Sequence, residues 1–426
     1  MRINNFEITE KCDIESAVSS IRGAGSVPAE TVKAVQEIID CVRDGGDRSL
    51  LEMIKRLDGA VLTPEQLEVT EKERSQAWEE LDAGAKDALG KAEARIASFA
   101  RNTLSVDWES EVDAGLTVRQ VHRPLDSVGI YIPGGRFSYP STVLMTGIPA
   151  REAGVGSIVF CTPPGEDGKI NAATLAATRL VGGCRVFRAG GAQAVAAMAY
   201  GTESLPGCQM VAGPGNIYVT TAKRLVSGQV SIDLDAGPSE LAVFLDGSVD
   251  LSFPAFDLLA QLEHDPLSVA VMISESAGVL KAAAGVISGL DVGATAGSGN
   301  GSVNLVLSAT RELSLEFLNR LAPEHLEIMV EGAENIVDGL RSAGAVFVGP
   351  YSPAVMGDYL AGPSHVLPTG GAAARQSGLS AESFRRTINV IAYTEEGFLK
   401  DAGEARLLAS MERLEKHALS VDIRMR

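Results

Sequence analysis

The chain contains five histidines, His122, His264, His325, His365 and His417. Four of them stand in its second half beside polar or acidic residues. Gln261 and His264 are spaced i, i+3 in a stretch that reads as helix, so both side chains leave the same face, and Asp257 lies one turn earlier on that stripe. By spacing alone this is a weak metal signal, because zinc prefers His, Cys and carboxylate ligands. A capped, solvated helix end before Asp265-Pro266 is the commoner outcome. Glu324-His325 follows Pro323 and precedes an apolar run. A carboxylate beside an imidazole is a natural acid–base pair, since histidine titrates near neutrality, although such neighbours also arise by chance. Asp358 and the run Gly362-Pro363-Ser364-His365 fall in a long loop. Glu412 and His417 fall near the C-terminus, where an isolated histidine is usually just exposed.

Two further features suit chemistry. Gly190-Gly191-Ala192-Gln193 follows a strand and opens a helix, which would turn backbone N–H groups toward a phosphate. It is not G-x-G-x-x-G, and ordinary strand-to-helix turn chemistry also explains it. Cys161 ends an apolar strand and is a candidate nucleophile for a cysteine-dependent aldehyde dehydrogenase. A cysteine in such a strand is more often simply buried.

The elements that must position these residues fall into distinct textures. Residues 1–25 read as a short arm. From about residue 28, Val32, Val35, Ile38 and Ile39 recur at helical steps, Gly45-Gly46-Asp47 marks a break, and 64–103 are charged, Ala-rich and helical in spacing. From about residue 127, short apolar strands (127–132, 157–161, 185–188, 210–212) alternate with helices (140–153, 171–181, 192–200), with glycine at the strand ends. That alternation predicts a parallel α/β sheet, whose ligands bind beyond the carboxyl ends of the strands. Residues 240–350 repeat the pattern, with strands at 241–245 and 269–273 and a helix at 256–264 between them. The Gly/Pro/Ser-rich stretch 351–380 is long for a connection and therefore reads as functional. A small, mostly helical tail follows.

At 426 residues, with 45% hydrophobic and 22% charged residues, the chain has the balance of a globular protein of two to four domains. A formal net charge of −18 and the lack of any basic block exclude nucleic acid as a partner. The five cysteines form no C-x-x-C pair, which suits a reducing cytoplasm and no structural zinc cluster. No signal peptide is expected, because the first residues lack a basic segment and an apolar one. No apolar run of membrane-spanning length occurs.

Taken in order, Tyr131-Ile132-Pro133-Gly134-Gly135, Pro140-Ser141-Thr142-Val143-Leu144-Met145, Gly190-Gly191-Ala192-Gln193-Ala194, Gly213-Pro214-Gly215-Asn216, Ala236-Gly237-Pro238-Ser239-Glu240, Gln261-Leu262-Glu263-His264, Ala322-Pro323-Glu324-His325-Leu326-Glu327, Gly357-Asp358-Tyr359 and the run from Ala361 to Gly371 form a set that resembles the histidinol dehydrogenase family. The resemblance extends over nearly the whole chain, from about residue 35 to 423. Ser364 departs from it, standing where the family often has Asn.

The resemblance implies NAD-dependent, four-electron oxidation of L-histidinol to L-histidine through bound L-histidinal, the last step of histidine biosynthesis. It implies one zinc per subunit, held by Gln261, His264, Asp358 and His417, the last from a partner chain, so that active sites are shared across a homodimer. It makes Glu324 and His325 the acid–base residues. Substrate contacts would come from Ser239, His365 and Glu412, together with His325 and the four zinc ligands. Tyr131, Gln193 and Asn216 would contact NAD. The expected fold is α/β, with two related, incomplete Rossmann-like domains and helical N- and C-terminal dimerisation arms. The implied division is an arm at 1–25, a discontinuous zinc and substrate domain at 26–127 and 240–377, an NAD domain at 128–239, and a dimerisation tail at 378–426. A cytoplasmic enzyme without nucleic-acid or membrane partners is expected. The rival within the fold is a zinc- and NAD-dependent dehydrogenase of another small alcohol such as sulfopropanediol. A sulfonate would need a cationic pocket, against which Glu412 argues.

Overall fold

A computed structural model describes residues 2–22, 27–134, 138–234, 237–263, 267–290 and 302–426. Its strands, in chain order, are β1 (Arg2–Ile8), β2 (Trp108–Asp113), β3 (Leu116–Pro124), β4 (Ser127–Tyr131), β5 (Ser157–Thr162), β6 (Cys184–Arg188), β7 (Met210–Ala212), β8 (Ser231–Ile232), β9 (Glu240–Leu245), β10 (Val269–Ser274), β11 (Ser302–Ser308), β12 (His325–Met329), β13 (Ala345–Val348) and β14 (Arg385–Tyr393).

Two parallel sheets carry the architecture. The first runs β6-β5-β4-β7-β8 and the second β1-β11-β10-β9-β12-β13. Numbered within each unit, both have the order 3-2-1-4-5, the doubly wound arrangement without its last strand. The two halves are therefore related, as the sequence texture implied. The second sheet gains β1, paired in parallel with β11 from Arg2↔Ser302 to Ile8↔Ser308. Helix Lys11–Arg22 then packs on helix Arg311–Leu321, so the segment expected as an arm supplies an edge strand and a covering helix.

The strands are apolar on both sides because helices cover both faces. In β5, Ile158 and Phe160 enter one core while Val159 and Cys161 enter the opposite one. In β9, Ala242 and Phe244 alternate in the same way with Leu241, Val243 and Leu245. This is the two-residue period of a strand buried on both faces.

The helical region before β2 packs on the first sheet's helices. Helix Ala29–Leu57 lies against Gly191–Tyr200 and Ile217–Val226, Glu71–Glu80 against Ala172–Val181, and Ala83–Asn102 against Pro140–Ala153. The expected division grouped these residues with 240–377. Their apolar stripes, such as Val35, Ile39, Val42, Leu50 and Ile54, are buried in the core of the 128–239 unit. The break at Gly45-Gly46 is a kink at Gly46, which has a φ of 55°.

A third, antiparallel sheet has the order β14-β3-β2. It was not foreseen, because 378–426 reads as mostly helical. β14 is exposed along almost its whole length, so no burial alternation marks it. After it, helices Glu395–Met411 and Glu415–Asp422 form a terminal hairpin whose packing within the chain is mainly against itself and β14.

Candidate active site

The acid–base candidates sit where β12 begins beside β9. Register pairs His325 with Leu241, which brings the backbone of Glu240 next to the side chain of Glu324. The Glu240 N–H donates to Glu324 Oε2 at 2.9 Å. His325 Nδ1 lies 3.6 Å from the same carboxyl oxygen, and His325 Nε2 lies 3.7 Å from Asp358 Oδ1. The imidazole thus stands between two carboxyl groups, with the Phe347 ring 5.8 Å away centroid to centroid. Burial pushes the Glu324 carboxyl well above the usual carboxylate range. The charges of Glu240 and Asp358 add to this, while the Glu240 N–H opposes it. Such a carboxyl is a stronger base once it has lost its proton.

Backbone strain marks the approach to His325 and the turn after Glu412. Among the described residues, the non-glycine positions with positive φ are Ala322, at 39°, and Arg413, at 59°. Ala322 ends helix Arg311–Leu321 and lies just before Pro323-Glu324-His325; Arg413 follows Glu412. Strain of this kind costs on the order of 1 kcal/mol and collects at functional positions.

The proposed metal donors fare differently. Gln261 is 4% exposed on helix Ser252–Leu262, and its amide Nε2 is buried without a hydrogen-bond partner. An amide turned the other way would aim its oxygen there, and an oxygen without a donor suits a cation. Asp358 lies on the short helix Ala354–Tyr359, which packs against Gln261's helix and β12. These two donors fit a metal. His264 lies outside the described residues. Glu412 and His417 are exposed on the terminal hairpin. Elsewhere, Glu10, Cys12 and Asp13 present ligand atoms within 4.8 Å of one another. Asp13 already accepts the N–H groups of Thr9 and Glu10, which makes that cluster a helix cap.

His365 joins the two units. Its Nδ1 lies 2.9 Å from the Asp358 carbonyl oxygen and must carry the proton. Its Nε2 is 3.2 Å from Thr142 Oγ1, on the helix that follows β4. Ser239 is half-buried, and its carbonyl accepts the N–H of Val269 at 3.0 Å. Thr369 Oγ1 accepts the Gly237 N–H.

Tyr131, Gln193 and Asn216 gather at the carboxyl ends of β4, β6 and β7, around the strand-order switch of the first sheet. The Gly191 N–H donates to the Tyr131 hydroxyl at 3.2 Å, and burial pushes that phenol up to about 12. Gln193 is 1% exposed; its Nε2 donates to Asp58 Oδ2 at 3.3 Å, and its Oε1 is buried without a partner. Burial raises Asp58 to about 6, against the opposing Gln193 bond. Asn216 Oδ1 accepts the N–H groups of Tyr218 and Val219, which makes it a helix cap. Gly213 has a φ of 107°, and a Cβ there would collide with the Tyr131 carbonyl. The loop is clamped by the buried ion pair of Lys223 and Asp233. Lys223 Nζ donates to the Gly213 carbonyl at 3.1 Å, and Asp233 accepts the Gly213 N–H at 2.8 Å.

The carboxyl-end rule therefore describes these three residues but not the acid–base candidates, which lie at the amino ends of β9 and β12. Reading the sequence alone also passed over Glu240, Asp58, Lys223 and Asp233. An Asp-Gly pair closing a long helix was the one visible signal for Asp58.

Two doubly wound units bridged by His365, with the His325 imidazole held between carboxyls in the second, describe an α/β enzyme of the dehydrogenase class. The family model described as histidinol dehydrogenase matches residues 23–425, and the chain belongs to that family. A histidinol dehydrogenase of Methanothermobacter thermautotrophicus is 44% identical over 397 residues, covering 92% of this chain and 93% of the relative. One of Syntrophotalea carbinolica is 42% identical over 432 residues, covering 100% and 99%. The crystal structure of the histidinol dehydrogenase of Elizabethkingia anophelis is similar with a TM-score of 0.93 at 32% identity, covering 99% of this chain and 98% of that one.

Proposed function

We propose that the chain oxidises L-histidinol to L-histidine through bound L-histidinal, passing two hydrides to two NAD+ in succession, as the last step of histidine biosynthesis. The family membership supports this reaction. The observation that carries the site reading is His325 standing between the carboxyls of Glu324 and Asp358. In this reading His325 Nε2, on the Asp358 side, takes the alcohol proton as the carbon-bound hydrogen departs as hydride. The aldehyde must then add water, and the Glu324 carboxylate takes a proton from that water. The Glu240 N–H keeps Glu324 aimed while it does so.

Gln261, His264, Asp358 and the partner subunit's His417 would hold zinc. When bound, the metal supplies a positive centre that fixes the amino alcohol, with Lewis-acid assistance secondary. Ser239, His365 and Glu412 would contact substrate. The Glu412 carboxylate would favour the cationic amine and reject a sulfonate. Tyr131, Gln193 and Asn216 would line the NAD site, and the unpartnered Gln193 Oε1 supports that role. Homodimerisation would complete each site. All five cysteines are free, which supports a cytoplasmic setting. No helix among the described residues is long and apolar enough to cross a membrane.

The test is NADH formation from purified protein, L-histidinol and NAD+, before and after chelation and zinc add-back. Two NADH per histidinol are expected, lost on chelation and restored by zinc. Zinc-loaded protein that leaves histidinol unchanged would sink the reading.

A further inference from the structure

We propose that Glu327 is a positioning residue for the zinc-and-base centre, tying the helices that carry Gln261 and Asp358 to the strand that carries His325. Glu327 follows His325 by two residues on β12, on the same face of the strand, and is 0% exposed. Its Oε1 accepts the Ala354 N–H at 2.7 Å. Ala354 is the first residue of helix Ala354–Tyr359, whose N-cap, Pro353, offers no side-chain bond. Glu327 therefore satisfies a donor that the helix start leaves open.

The other oxygen of Glu327, Oε2, is buried without a hydrogen-bond partner, and the carboxyl stands against Asp257, one turn before Gln261 on helix Ser252–Leu262. Two carboxyls hydrogen-bond only with a proton between them. Burial favours that proton, pushing both carboxyls above the ordinary carboxylate range. A strand position closed to solvent would be filled as well by leucine. A carboxyl there costs desolvation and returns only directed hydrogen bonds. The Ala354 bond and the Asp257 contact run to the two helices that carry Asp358 and Gln261, and these helices pack on each other.

This inference rests on the assignment of Gln261 and Asp358 to zinc. It is tested in the full-length enzyme by chelator competition for zinc, alongside thermal melting, with Glu327→Gln, Glu327→Leu and Asp257→Leu. Glutamine can accept from Ala354 with Oε1 and donate to Asp257 with Nε2, so E327Q should keep zinc affinity within about threefold, whereas E327L should lose about tenfold or more. D257L changes only a half-buried helix position. It should lose zinc in the same direction, and it decides the matter alone if E327L fails to fold. Folded D257L or E327L with unchanged zinc affinity, or E327Q as impaired as E327L, would overturn the proposal. Asp358→Ala serves as the separate control. If it retains zinc, the metal assignment fails, whatever Glu327 does.

Discussion

Asp358 Oδ1 lies 3.7 Å from His325 Nε2, so a residue from the Gly- and Pro-rich stretch meets the imidazole at the start of a core strand. With Glu324 on the ring's other side, the imidazole can pass charge in either direction without leaving its place. The division of labour between the two proposed acid–base residues is therefore open to separation by mutation.

Glu324→Gln keeps the shape and can still accept the Glu240 N–H, but it cannot take a proton from water. Conversion of the bound aldehyde to the acid should fall by about 10²–10⁴-fold. The first hydride transfer should survive, so a single turnover would give one NADH per site and trapped aldehyde. Equal loss of both half-reactions, read by stopped-flow absorbance, would place Glu324 elsewhere in the chemistry.

Cys161→Ala should keep full activity. Cys161 is 0% exposed, and burial pushes its thiol well above the ordinary range, so it presents no thiolate for attack. The substitution leaves a small cavity and should cost about 1–2 kcal/mol of stability. A variant that melts normally yet loses kcat would revive the cysteine-nucleophile reading.

The sequence carried the alternation of strand and helix plainly, because a strand buried on both faces is a continuous apolar run and glycine punctuates its end. It carried β14 poorly: the nine residues Arg385–Tyr393 have strand-forming side chains but no buried face to impose a period. In the site, Glu324 and His325 were visible as neighbours, whereas Glu240 was one carboxylate beside a glycine-rich motif. Only the register of β9 against β12 gives its N–H to Glu324. The amino-end location was hidden for the same reason, since which end of a strand faces the partner unit is a property of packing.

Glu240 should make stability depend on pH. Burial raises its carboxyl from 4.5 to about 7, against the opposing Gly370 N–H and the Arg22 charge. A group held more protonated when folded adds stability that is complete below its unfolded pKa and is lost as pH rises through the folded one. Wild-type protein should therefore lose up to about 3 kcal/mol between roughly pH 4.5 and 7 from this group. Glu240→Gln keeps an acceptor for Gly370 and cannot ionise, so its urea midpoint should fall less over the same range. Parallel pH profiles for the two proteins would exclude the effect.

The terminal hairpin carries Leu407, Leu408, Met411, Leu419 and Ile423 at 60–71% exposure, on the same segment as Glu412 and His417. In the proposed homodimer this apolar surface would be buried against the second copy. If His417 serves the partner's site, His417→Ala and Asp358→Ala should each be inactive, yet complement when unfolded together and reassembled. A hybrid dimer then has one site with both intact residues and one with neither. Random reassortment makes about half the dimers hybrid, so about a quarter of wild-type activity should return. If His417 instead acts within its own chain, every site in the mixture lacks one residue or the other, and the reassembled sample stays as inactive as its parents.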